Sequence, residues 1–138
     1  FTGDAEAEQE ANAIKTGVDL TTNFFKVCHH GSSTSSTTSF LNAMWNIGKL
    51  DKETGESLEV PQSKRYALIS SGRIQYSGSY IPTSQTIDRL KNYMSETHIF
   101  STSAGDDSKV EFETYRDDNI LIVVRPDGSY DACYNGTN

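Results

Sequence analysis

A mixed α/β fold is what this sequence predicts, and three features predict it. Short apolar runs of strand length alternate with stretches of helical period. The strand-like runs crowd towards the end of the chain. The longest uninterrupted apolar run, residues 120–124, fits a buried strand and falls far short of the roughly 18 residues that a membrane span needs. With 138 residues, of which 35% are hydrophobic and 22% charged, the chain has the size of one globular domain, residues 1–138.

The elements follow in order. Residues 4–15 lack proline, open with acids and carry alanines, and the stretch ends near Gly17. Acids at its start suit the positive end of a helix dipole. Residues 23–28 (NFFKVC) are a short apolar strand. A hydroxyl-rich loop, 32–39, leads to apolar positions 40, 41, 44, 45 and 47 at helical spacing. Residues 48–63 are polar and turn-rich, an exposed loop or hairpin. YALIS, 66–70, is a buried strand, and 72–81 is a loop with two tyrosines. Pro82 precedes a helix over 83–94 whose Ile87, Leu90 and Met94 share one face. Strands are expected over 97–102, 109–115, 119–125 and 129–134, the last two joined by the turn Pro126-Asp127-Gly128.

Composition excludes some partners. The net charge is −7, from 19 acidic against 12 basic residues, and Lys64-Arg65 is the one adjacent basic pair. Broad attraction to nucleic-acid phosphates needs clustered cations, so such a substrate would have to be held by metals or by another part of the protein. Two cysteines, Cys28 and Cys133, are too few for a disulfide framework and form no C-x-x-C pair. They read as small buried residues, with a single disulfide open if the protein is exported. The segment Phe1 to Asp4 reads as the end of a strand running into a loop, so the chain is expected to continue upstream.

Two places combine metal-ligand chemistry with strand ends. In Phe1-Thr2-Gly3-Asp4, a carboxylate at the end of a strand could bridge two divalent cations, and Gly3 would let the backbone approach them. Asp4 is equally suited to capping the following helix. In Val27-Cys28-His29-His30-Gly31-Ser32, two imidazoles directly follow a strand, and Gly31 allows a sharp departure. If the strand ran through both histidines they would face opposite sides; a turn would relax this. Glu6, Glu8 and Glu10 read as a solvated helix start, with Glu8 able to reach back towards a metal ligand. His98 reads as structural, and the sequon at 135–137 is too common a pattern to count.

Phe-Thr-Gly-Asp, an acidic helix, an apolar strand and His-His-Gly-Ser before a Ser/Thr-rich stretch together resemble the metallo-β-lactamase superfamily, and within it the ComEC-like (competence-protein) branch with its secreted phosphoesterases. Asp4 and His29 lie 25 residues apart, a gap similar to that branch. The resemblance covers most of the chain, but only about the first 36 residues are motif-specific. It implies the C-terminal half of an αββα sandwich with two metals at one edge, zinc or alternatively manganese. It implies Asp4 as the bridging carboxylate and His29 as a metal ligand. His30 is then the catalytic, substrate-facing residue, and Ser32 orients it or meets a phosphate.

Two departures stand out. The hallmark His-x-His-x-Asp-His is not in this sequence, nor is the further histidine before Asp4. The stretch matching Asn-x-Tyr-Gly-His-Pro keeps Tyr76, Gly78 and Pro82 but has no histidine, which weakens a DNA-directed activity. The expected function is a metal-dependent phosphodiesterase or related ester hydrolase. It would act on a small phosphoester or nucleic acid, and an N-terminal half of the same domain would supply the other ligands. The competing reading is a degenerate, non-catalytic binding module. A third, an unrelated α/β domain, predicts that Asp4 and His29 lie far apart.

Overall fold

The computed structural model describes residues 1–72, 75–76, 78–103 and 119–134. The expected strand over 109–115 and the sequon at 135–137 lie outside them.

The chain is mixed α/β. Its centre is a parallel three-stranded sheet in the order β1 (Phe24–Lys26), β2 (Tyr66–Ile69), β5 (Ile99–Ser101), with Phe25 opposite Ala67 and Leu68 opposite Phe100. Parallel neighbours need crossovers. Helix α2 (Thr38–Met44) lies on the first, and α3 (Ser84–Lys91) on the second. Each helix begins at a threonine whose hydroxyl accepts a backbone N–H: Thr37 from Phe40 and Thr83 from Thr86. Helix α1 (Ala7–Lys15) packs beside α2.

Alternation along the strands sorts the side chains onto two faces. Phe25, Val27, Ala67 and Ile69 enter the main core with Leu41, Met44 and Trp45 of the α2 region and Leu90 and Met94 of the α3 region, all nearly or fully buried. The face carrying Phe24, Tyr66 and Phe100 is covered by an antiparallel hairpin, β6 (Ile120–Val124) and β7 (Tyr130–Tyr134), whose Tyr130 ring meets Phe24 edge-on at 4.8 Å. Tyr134 packs on Phe100 at 5.0 Å and its hydroxyl accepts the Ser101 N–H. The layers therefore run helices, parallel sheet, antiparallel hairpin. His98 sits in a 3-10 turn before β5, stacked on Tyr66 at 4.4 Å, its Nδ1 3.0 Å from the Arg65 carbonyl. That is the structural placement expected of it.

The tyrosine-containing loop forms a small hairpin, β3 (Gln75–Tyr76) with β4 (Ser79–Tyr80), and residues 48–59 close through a bridge between Leu50 and Ser57. Arg65 is buried yet satisfied. It donates to the carbonyls of Val60 and Tyr93 and to the Glu59 carboxylate, and its guanidinium lies over Trp45.

Several sequence expectations are corrected. Residues 120–124 form a strand but not a buried one: Leu121, Val123 and Val124 are exposed on the outer hairpin, and Cys133 on β7, expected to be buried, is exposed with them. Phe1 to Gly3 form no strand; Thr2 to Ala5 make a turn, closed by Ala5 N–H to the Thr2 carbonyl. Glu10 is not part of a solvated helix start. It is 1% exposed, and its carboxylate accepts the N–H groups of Ser36 at 2.5 Å and Thr37 at 2.8 Å. The hydroxyl-rich loop folds inward there, burying Ser35 and Ser36, so its amides need an internal acceptor.

Candidate metal centre

Strand β1 ends at Lys26, and the chain then curls through Cys28–Gly31. His29 and His30 both adopt left-handed backbone, with φ of 46° and 54°. Each such residue without the freedom of glycine costs roughly 1–2 kcal/mol. Consecutive examples at a strand end are a strained feature of the kind that gathers at functional sites. The curl removes the alternation of a strand, so both imidazoles stay on the carboxyl edge of the sheet. Gly31 completes the curl at φ 88°, and a Cβ there would lie 2.6 Å from the Cβ of Pro82. Only glycine lets the turn pack against the start of α3.

The N-terminal segment lies against this turn. The Thr2 hydroxyl donates to the Lys26 carbonyl at 3.1 Å, and His29 N–H donates to the Gly3 carbonyl at 2.9 Å. The side chains then fall into two pairs. Asp4 Oδ1 is 3.3 Å from His30 Nε2, and Glu6 Oε1 is 3.2 Å from His29 Nδ1. The second pair is within ion-pair range, but the buried Nδ1 makes no well-directed hydrogen bond. The resemblance pairs Asp4 with His29; in the structure the imidazole in contact with Asp4 is that of His30. The reason is local: His29 is tied by its own N–H to Gly3, and its ring turns to Glu6. Nor is Asp4 the helix cap. Glu6 holds that position, its N–H donating to Gln9. The helix acid that meets a histidine is thus Glu6 rather than Glu8.

His30 Nδ1 lies 2.6 Å from the carbonyl oxygen of Ser70, at the carboxyl end of β2. A carbonyl can only accept, so Nδ1 carries the hydrogen. Nε2 then faces a carboxylate oxygen, which is also an acceptor. That contact is attractive only with a proton on Nε2 or a cation between the two atoms. Two ligands each about 2.0–2.1 Å from a tetrahedral zinc lie about 3.3–3.4 Å apart, so the observed spacing suits the edge of such a shell. An imidazole fixed through its far nitrogen by a backbone carbonyl is the usual support of a metal-bound histidine. Asp4 and His30 thus fit part of a metal site. They do not complete one: among the described residues, no three His, Cys, Asp or Glu side chains gather where they could hold an ion.

The surrounding hydroxyls have settled partners. Ser32 Oγ lies 3.0 Å from Thr34 Oγ1, and Thr34 donates to Glu6. Beyond Gly31 the wall continues into α3, where Thr83 N–H donates to the Gly31 carbonyl and Thr86 to that of Ser32. Cys28 is buried beneath the turn, and burial pushes its thiol up to about 11. It therefore keeps its proton at neutral pH as part of the core. The sequence signals Asp4 and both histidines; Glu6 and the Ser70 carbonyl carry no signal, because neither residue type nor spacing marks them.

Comparison with protein-family models, curated proteins and solved structures gives no match for the chain.

Proposed function

We propose that this chain is part of a metal-dependent phosphoester hydrolase, the C-terminal half of a metallo-β-lactamase-like domain. The observation that carries the reading is the Asp4–His30 contact, with His30 fixed from behind by Ser70 at the carboxyl edge of a parallel sheet. That edge is where open α/β sheets bind ligands. The order of helices, parallel sheet and antiparallel hairpin supports the sandwich expected from the resemblance. Exposed Leu121, Val123 and Val124 on the hairpin support further chain packing there.

Asp4 and His30 would hold the metal, zinc or alternatively manganese, with Glu6 and His29 beside them. A bound pair of such ions supplies an acidified water, with a pKa near ~7, as the nucleophile. The Ser70 carbonyl holds His30 in one tautomer and one orientation. His29, the imidazole left without the metal in this reading, would donate to the substrate's phosphoryl oxygens. The remaining ligands come from an N-terminal half of the same domain. The substrate is a small phosphoester or a nucleic acid. No helix among the described residues is long and apolar enough to cross a membrane.

The absence of a third converging ligand among the described residues favours a second reading, a non-catalytic module in which Asp4 and a protonated His30 form a plain ion pair. Metal content of the full-length protein separates the two. Two equivalents of zinc or manganese, lost in Asp4→Ala, support the hydrolase; no uptake at stoichiometric metal supports the module.

A further inference from the structure

Next to the His29-His30 turn lies a cleft of about 350 Å³, lined by Ser33, Tyr80, Pro82, Thr83, Ser84 and Gln85. None of Asp4, Glu6, His29 and His30 lines it; its link to the candidate metal centre is Gly31, the residue that follows His30. Ser33 lies two residues beyond Gly31, and Thr83 N–H donates to the Gly31 carbonyl. The lining contains no charged side chain. It offers one tyrosine ring, 48% exposed, one proline ring, three hydroxyls and one carboxamide.

We propose that this cleft binds the nucleobase of a nucleotide substrate, with Tyr80 as the stacking residue that sets specificity. The proposal rests on the hydrolase reading for the reaction but not for the binding. An uncharged lining on a chain of net charge −7 gives a phosphate no counter-charge, so the cleft suits the neutral part of a phosphoester. A volume near the lower end of ligand pockets suits one ring system rather than a polymer. A planar group gains from an exposed aromatic face whatever its substituents. The Gln85 carboxamide both donates and accepts, as the edge of a base requires. The phosphate would then point past Gly31 towards Asp4 and His30.

The test is a titration of the metal-free protein with adenosine, adenosine 5′-monophosphate, ribose 5-phosphate and inorganic phosphate, followed by tyrosine fluorescence or calorimetry. Expected is saturable binding of the nucleoside and nucleotide, with ribose 5-phosphate at least tenfold weaker. Tyr80→Ala should weaken nucleoside binding at least tenfold, and Tyr80→Phe should restore it. Gln85→Ala, at an exposed position, gives a second variant free of folding effects, with an expected loss of several-fold. Ribose 5-phosphate bound as tightly as the nucleotide, or Tyr80→Ala without effect, overturns the proposal. Nucleoside binding in a protein that takes up no metal keeps the cleft and removes the hydrolase; metal-dependent hydrolysis indifferent to the base does the reverse.

Discussion

His30 Nε2 stands 3.3 Å from Asp4 Oδ1 while its Nδ1 is held by the carbonyl of Ser70. This places the more exposed of the two histidines, not the one tied back to Gly3, in contact with the carboxylate. The resemblance to metallo-β-lactamases assigns the metal to His29 instead, and the two assignments predict different variants. If the contact decides, Asp4→Ala and His30→Ala each weaken zinc binding at least roughly tenfold, with His29→Ala affecting it less. Competition with a chromophoric chelator measures all three. A larger loss in His29→Ala would return the ligand to His29 and leave His30 to the substrate.

The left-handed backbone at His29 gives a prediction independent of any metal. Both His29→Ala and His29→Gly remove the imidazole and its pairing with Glu6, but only glycine is at ease at φ 46°. The glycine variant should be the more stable of the two by about 1 kcal/mol, in spite of glycine's greater freedom when unfolded. Urea unfolding of the two side by side checks it. Equal midpoints would mean that the turn carries no strain.

How much of the molecule is legible in the sequence depends on which physical signal each part leaves. β1, β2, α3 and the final hairpin announce themselves through apolar period and the Pro126-Asp127-Gly128 turn, since burial of one face fixes those patterns. Asp4 and the histidine pair are visible because ligand chemistry restricts residue type. Their pairing is not, because it depends on two consecutive left-handed residues; histidine is enriched in that conformation, but non-glycine residues adopt it too rarely for the residue type to mark it. Glu10 is hidden for a related reason. An acid in the first turns of a helix is normally solvated, and its real partners are amides of a loop 26 residues away. The small β3–β4 hairpin leaves no pattern because its strands are two residues each, too short for any period.

Glu10 ties α1 to the inward-folded loop. Replacing it with alanine leaves the buried N–H groups of Ser36 and Thr37 without an acceptor, at a cost of about 3 kcal/mol. Glu10→Gln keeps one carbonyl acceptor but turns an amide N–H towards the other donor, so it should fall between alanine and wild type. Denaturant midpoints rank the three. Because the same loop leads from the histidine turn to α2, hydrogen exchange at Ser36 and Thr37 should speed up in Glu10→Ala before global unfolding. A variant as stable as wild type would show that water can replace the carboxylate there.

Cys28 makes stability depend on alkaline pH. Burial is the largest cause of its raised pKa, about 11 against an ordinary value of 9.0, and the neighbouring Glu10 carboxylate adds to it. The folded state therefore keeps the thiol proton where the unfolded chain has lost it. The contribution is fully present below pH 9.0 and is lost as pH rises through about 11. That difference between the folded and unfolded thiol corresponds to roughly 2–3 kcal/mol at most. Tyrosines and lysines titrate in the same range, so the informative quantity is a difference. The drop in unfolding free energy on going from about pH 8.5 to about pH 10.5 should be smaller in Cys28→Ala than in wild type. At about pH 8, a thiol reagent should modify exposed Cys133 quickly and buried Cys28 only on unfolding. Rapid labelling of both cysteines in the native protein would contradict the burial that gives Cys28 its raised pKa.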